Sequence, residues 1–213
     1  MADAEEPITH VEVAIDLHGD ALVVCSMTPR GQSHPGIYSV RSHHTDWTAE
    51  PDLVELLPDR DLVRPRLGMN GSGRAFAVWE VEDHVDRYQL RGGWFDRDQG
   101  GSGWTWVAPL DHTPFDGLAT EPAVAVTEDG HAIVLWRRHD DTTSSIQAIR
   151  FASGDTVPTP EDLSDGLTGT AHDPRVAVFP NGVALVVWVQ HTDVFDESLM
   201  MMRYVPGEGW RDR

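Results

Sequence analysis

Apolar residues in this chain come in short runs separated by turn residues, not at helical spacing. Ala123–Val126 leads through a turn at Thr127–Gly130 into His131–Trp136, and Val176–Val178 leads through Phe179–Gly182 into Val183–Trp188. Asp-Gly and Asn-Gly mark tight turns because these residues tolerate positive φ at low steric cost. The runs are nearly all apolar, the pattern of strands with both faces covered. Ala beside Val suits crowded inner strands. No stretch sustains a 3.6-residue period, and Pro158 and Pro160 argue against a helix around Pro160–Leu163.

The same phrase occurs four times. A turn glycine stands six residues before a large apolar position in Gly73–Trp79, Gly130–Trp136 and Gly182–Trp188, and Gly19 precedes Cys25 in the first copy. Alanine follows each glycine by two residues (Ala21, Ala75, Ala132, Ala184), and Pro65, Pro122 and Pro174 precede the last three by eight. The glycines lie 54, 57 and 52 residues apart. A period near fifty belongs to propeller-like or solenoid arrays.

Each unit continues with a polar hairpin (Glu82-Asp83-His84, His139-Asp140-Asp141, His191-Thr192-Asp193) and a third strand: Ile37–Arg41, Ile146–Phe151, Leu199–Tyr204. Arg41, Arg150 and Arg203 fall at matching places, and Trp94 takes that place in the second unit. A last strand opens at Trp47, Trp104 and Trp210, with Val157 as the equivalent in the third unit. The expected fold is all-β: four tandem four-stranded blades, β-propeller-like, in one domain over 1–213 with blades at about 7–58, 59–114, 115–168 and 169–213. Two closures are consistent with it, a single four-bladed ring and half of a two-chain eight-bladed ring, a homodimer. The tryptophans six past the glycine read as inter-blade packing residues, and Cys25 marks an atypical terminal blade.

Pro122–Val126, then Gly130, Ala132 and Trp136, with Ile146–Phe151 later, resembles bacterial sialidase-like propeller repeats, the degenerate relatives of the Asp-box group that include propeller lectins. The resemblance runs from about Thr9 to Trp210. The Asp-box pattern is met loosely by Asp96–Trp104, where Asp96 replaces the opening serine and the tryptophan comes one residue late. The resemblance implies a propeller fold that hosts lectins, enzymes and scaffolds alike. Sialidase-like enzymes would need an arginine cluster, a tyrosine activated by glutamate and an acid aspartate from different blades of a six-bladed ring. Four units fall short of that ring, and Tyr38, Tyr88 and Tyr204 lie on or near third strands.

Net charge is −19, from 35 acidic and 16 basic residues, all the latter arginine. Such a field repels nucleic-acid phosphates and anionic membrane surfaces, so neither is an expected partner. No apolar run approaches the length of a membrane span. Met1–Glu6 lacks the basic flank and apolar core of a secretory leader, which points to the cytoplasm, or to secretion where a leader has been removed. The single Cys25 forms no internal disulfide.

No metal or other cofactor is expected. The eleven histidines scatter, no zinc spacing occurs, and His43 and His44 would point to opposite faces of a strand. Asp96-x-Asp98-x-Gly100 resembles the opening of a calcium loop, but Val107 stands where its closing glutamate belongs. Trp94, Trp104 and Trp106 crowd around Gly92-Gly93 and Gly100-Gly101, as in sugar-binding surfaces, and Arg41, Arg150 and Arg203 offer repeated polar contacts. These six residues are the expected ligand-binding positions, with a glycan or small molecule as partner and no catalytic residue assigned. The expected function is non-enzymatic recognition, lectin-like. The alternatives are a glycan-active hydrolase or lyase completed in an assembly or a longer chain, and a protein-interaction scaffold.

Overall fold

A computed structural model describes residues 7–43, 46–48, 50–82, 87–99, 101–110, 118–140, 142–193 and 196–211, with the backbone alone for Trp106, Val107 and Asp193. His44, Asp83, His84, Gly100 and Asp141, named above, lie outside the described residues. Among the described residues all regular structure is β, and no helix is long and apolar enough to cross a membrane.

The first unit contains β1 (Ile8–Ile15), β2 (Ala21–Met27), β3 (Gly36–His43), the short β4 (Asp46–Trp47) and β5 (Asp52–Glu55). The second contains β6 (Asp61–Met69), β7 (Arg74–Glu82), β8 (Tyr88–Asp96) and β9 (Trp104–Pro109). In the third, β10 (Leu118–Val126), β11 (His131–His139) and β12 (Ser144–Ala152) precede a two-residue β13 (Glu161–Asp162). The fourth holds β14 (Thr170–Val178), β15 (Ala184–Asp193), β16 (Asp196–Val205) and β17 (Gly209–Arg211). Each unit is an antiparallel meander, and one parallel contact, Ser144 beside Thr170, links the last two into an eight-stranded sheet. The sheets do not close on themselves.

The turn glycines behave as their sequence context requires: Gly19, Gly73, Gly130 and Gly182 have φ between 81 and 86°. That left-handed conformation turns β1, β6, β10 and β14 back into their partners at low cost only for glycine.

One rule of packing holds between successive units. Residues three and five past the glycine face the next unit, where they meet the residue six past its glycine. Leu22 and Val24 cluster with Trp79, Phe76 and Val78 with Trp136, and Ile133 and Leu135 with Trp188. All three tryptophans are buried. A buried ring of this size contributes several kcal/mol by area, at roughly 25 cal/mol per Å2. Charge reinforces the first junction: Glu55 accepts the Trp79 indole N–H at 3.0 Å and pairs with the Arg91 guanidinium at 2.6 Å. At the start of the array Cys25, in the place of the tryptophan, forms a small cluster with Met27 and Tyr38.

Candidate functional site at the mouth of the inner strands

The inner strands β1, β6, β10 and β14 lie next to one another in chain order. Each carries a bulge, between Thr9 and Glu12, Val63 and Arg66, Thr120 and Ala123, and His172 and Arg175. Within every bulge one non-glycine residue takes positive φ: His10 at 51°, Arg64 at 51°, Glu121 at 55° and Asp173 at 52°. Each stands nine residues before its turn glycine, and the last three directly precede the repeat prolines. A left-handed non-glycine residue costs on the order of 1–3 kcal/mol and persists only where its surroundings impose it. Here the same strain recurs at the same place in every unit.

Carboxylates hold two of these four residues in place. Glu80 accepts the backbone N–H of Glu121 at 2.9 Å, and Glu121 in turn accepts the backbone N–H of Asp173 at 2.7 Å. Glu80 is 1% exposed and meets Arg64 Nη1 at 2.6 Å. Burial pushes the Glu80 carboxyl above its ordinary range, and the Arg64 guanidinium works against that shift. Arg137 Nη1 donates to Glu121 at 3.0 Å, and Arg66 Nη1 donates to Glu12 at 2.5 Å.

Glu80 borders a cavity of about 380 Å3 together with Arg64, Arg66, Tyr88, Glu121, Asp173 and Arg175, among others. The Arg64 guanidinium carbon lies 5.7 Å from the centre of the Tyr88 ring. The cavity thus presents forked N–H donors, carboxylate acceptors and one aromatic face, a set suited to a ligand rich in hydroxyl or acidic groups.

A larger hollow, about 690 Å3, opens at the opposite end of the inner strands, beside the first turn glycine, and includes His18, Asp20, Arg41, Trp47 and Arg97. Its charges are committed to joining the first two units. Arg97 pairs with Asp16 at 2.8 Å and Asp20 at 3.1 Å, and Arg41 donates to the Gly101 carbonyl at 2.5 Å. The smaller cavity is the better candidate because three units converge on it and their strained residues point to it.

The six positions singled out in the sequence do not form one surface. Trp94 is 1% exposed and packs edge-on against Phe76 and Phe151 at 5.0 and 6.0 Å, inside the junction of the second and third units. It is a core residue, contrary to the expectation of an exposed ring. Its indole N–H has no hydrogen-bond partner among the described residues. Trp104 belongs to the preceding junction, where it donates to Ser39 Oγ at 2.9 Å. Trp94 and Trp104 therefore lie on opposite faces of one sheet, and the Trp106 backbone pairs with Trp94 between β8 and β9. Arg41, Arg150 and Arg203 are true structural equivalents, paired with Leu22, Ile133 and Leu185, as Trp94 is with Phe76. Arg150 pairs with Asp129 of its own unit at 3.2 Å and lies 5.2 Å from the Tyr204 ring, while Arg203 is exposed. Asp98 donates its backbone N–H to Asp96 at 3.0 Å, so this part of the calcium-like segment is a turn.

Sequence reasoning missed the mouth. Pro65, Pro122 and Pro174 were its signal, since each fixes the place of a bulge and the charged residue just before it. It also missed a histidine cluster: His172, His191 and Glu197 bring their ligand atoms within 4.8 Å of one another.

Fold and mouth together define an all-β, propeller-like protein with a polar cavity at one end of its inner strands. No family model matches the chain, and no curated protein matches it. Solved structures do. An ulvan lyase described as a new family of polysaccharide lyase aligns over 92% of this chain and 52% of its own, at a TM-score of 0.65 and 8% identity. An endo-arabinase from Bacteroides thetaiotaomicron aligns over 98% of this chain and 80% of its own (TM-score 0.56, 12% identity). A Trypanosoma rangeli sialidase aligns over 97% of this chain and 38% of its own (TM-score 0.57, 10% identity). At such identities the likeness concerns the fold, that of propellers that act on glycans. The chain spans from about two fifths to four fifths of the length of these three structures.

Proposed function

We propose that the protein is a glycan-recognition module whose binding site is the mouth of the inner strands. The observation that carries this reading is the convergence of Arg64, Glu121 and Asp173, each in strained backbone from a different unit, on one polar cavity. Similarity to the ulvan lyase, solved bound to a sulfated glucuronate–rhamnose repeat, and to the sialidase, solved with the inhibitor DANA, supports a carbohydrate as ligand. Arg64, Arg66 and Arg175 suit an acidic sugar, because guanidinium groups match carboxylate and sulfate geometry. The test is a glycan array with neutral, uronate-containing and sialylated panels, followed by titration with Arg64→Ala and Glu121→Gln. Binding that falls at least tenfold in either variant supports the mouth. Binding that is absent, or unchanged in both variants, removes it.

A second reading, glycan cleavage, is favoured by one feature, the buried Glu80 with its raised carboxyl beside Arg64. A carboxyl whose proton affinity is raised by burial, at the wall of the cavity, is a candidate general acid. Turnover of an array-positive glycan that disappears in Glu80→Gln would establish it.

We further propose that a second copy of the chain completes the ring. Val13 and Ile15, 65% and 66% exposed, stand where the third unit has Val124 and Val126 against its predecessor. At the other end Leu185 (39% exposed) occupies the position of Leu22, Phe76 and Ile133, and further along the same pair of strands Met201, opposite Val187, and Leu199, opposite Val189, are exposed as well. The two ends thus carry the complementary halves of a contact made three times inside the chain. Sedimentation equilibrium tests this. Twice the 23.6 kDa chain mass, reverting to one in Leu185→Arg, supports it. A monomer at tens of micromolar, or an open polymer, overturns it.

A further inference from the structure

The polar edge of the fourth unit carries a cluster that neither the glycan reading nor ring closure uses. His172 sits near the start of β14, His191 near the end of β15 and Glu197 at the start of β16, on three adjacent strands of one sheet. Ladder pairing fixes their spacing: Thr170 faces His191, and His191 faces Glu197. The two imidazole rings are 5.3 Å apart and tilted by 34°, and one donor atom from each of the three residues lies within 4.8 Å of the others.

We propose that His172, His191 and Glu197 form a binding site for a divalent transition-metal ion, with Zn2+ as the best fit. Two imidazole nitrogens and a carboxylate suit zinc and not calcium or magnesium, which take oxygen donors. Two details go beyond mere proximity. His172 Nδ1 lies 3.0 Å from Asp173 Oδ2, which leaves Nε2 for the ion and orients the ring, as the outer carboxylate does in carboxylate–histidine–zinc sites. Asp173 is itself immobilised, since its backbone is held in the left-handed region by the hydrogen bond to Glu121. His191 Nε2 lies 2.7 Å from Glu197 Oε1, a pair the ion would enter by displacing a proton.

Three protein ligands leave a coordination position for water or a ligand group. His172 adjoins Asp173, which lines the mouth cavity, so the ion would stand beside that cavity. A net charge of −19 adds a long-range attraction for cations.

The test is calorimetric titration of the intact, metal-stripped chain with ZnCl2 at pH 7.5, with His172→Asn, His191→Asn and Asp173→Asn alongside. The expected result is one Zn2+ per chain, lost in either histidine variant and weakened about 10–100-fold in Asp173→Asn. Should a variant fail to fold, imidazole NMR of the unaltered chain decides: Zn2+ must shift the His172 and His191 resonances first. No stoichiometric uptake, uptake retained in both histidine variants, or first shifts at other histidines would overturn the assignment.

Discussion

Glu121 accepts the backbone N–H of Asp173 at 2.7 Å, and both residues hold left-handed backbone at φ 55° and 52°. One strained residue thus fixes the next, and the strain passes between units through a carboxylate, not an apolar contact. Glu121→Ala removes the acceptor and leaves Arg137 without this partner. The expected loss is about 1–3 kcal/mol, read from the urea midpoint at unchanged slope. Glu121→Gln keeps an acceptor oxygen and should lose less than half as much.

The tryptophan positions separate by burial. Trp136→Ala opens a cavity against Phe76 and Val78 and should cost about 3–5 kcal/mol. Trp47→Ala, at an exposed ring, should stay within about 0.5 kcal/mol. Equal losses in paired denaturation curves would contradict the packing rule.

Gly169 has φ +88°, and a Cβ there would lie 1.7 Å from the His191 carbonyl oxygen. Gly169→Ala should therefore cost more than about 3 kcal/mol, by strain and by collision with backbone that cannot give way. Because the collision is with His191, the same variant should also lose Zn2+ uptake. Gly207→Ala, also at positive φ but with open space around the new methyl, should cost distinctly less in the same denaturation assay.

Asp140 closes the turn between β11 and β12. Its carboxylate accepts the backbone N–H groups of Thr142 and Thr143 at 2.9 and 2.8 Å, and these bonds lower its pKa from 3.8 to about 2. A lowered carboxyl contributes its stabilisation above the unfolded value near 3.8, and loses it as pH falls through about 2. The Thr142 and Thr143 amide resonances should titrate with a midpoint near 2. A midpoint near 4 would mean the turn does not hold the carboxylate.

The repeat was legible because it is local. A glycine forced to positive φ, an alanine in a crowded strand and a tryptophan six residues on are set by short-range sterics and burial. Trp94 was misread because Gly92 and Gly93 beside it looked like an exposing loop. They lie inside β8, where a Cβ on Gly92 would come within 2.5 Å of the Phe76 ring. Glycine is present there to admit a neighbouring ring, not to bare one. The mouth was harder to read, since it arises from bulges that bring Arg64, Glu121 and Asp173 together from separate units. The histidine cluster was harder still: its residues are 19 and 6 apart, a spacing set by strand register and by no local motif.

Because every joint between sheets obeys one offset from its glycine, the molecule tolerates change in two very different grain sizes. Gain or loss of a whole repeat leaves matching surfaces on either side of the cut, so such proteins can evolve in length by duplication at little structural cost. Deleting one residue between a turn glycine and its tryptophan would instead exchange inside for outside along that strand, turning the ring that should be sheltered toward water. Indels in descendants of this chain should accordingly collect in the polar hairpins and avoid the six residues after each glycine.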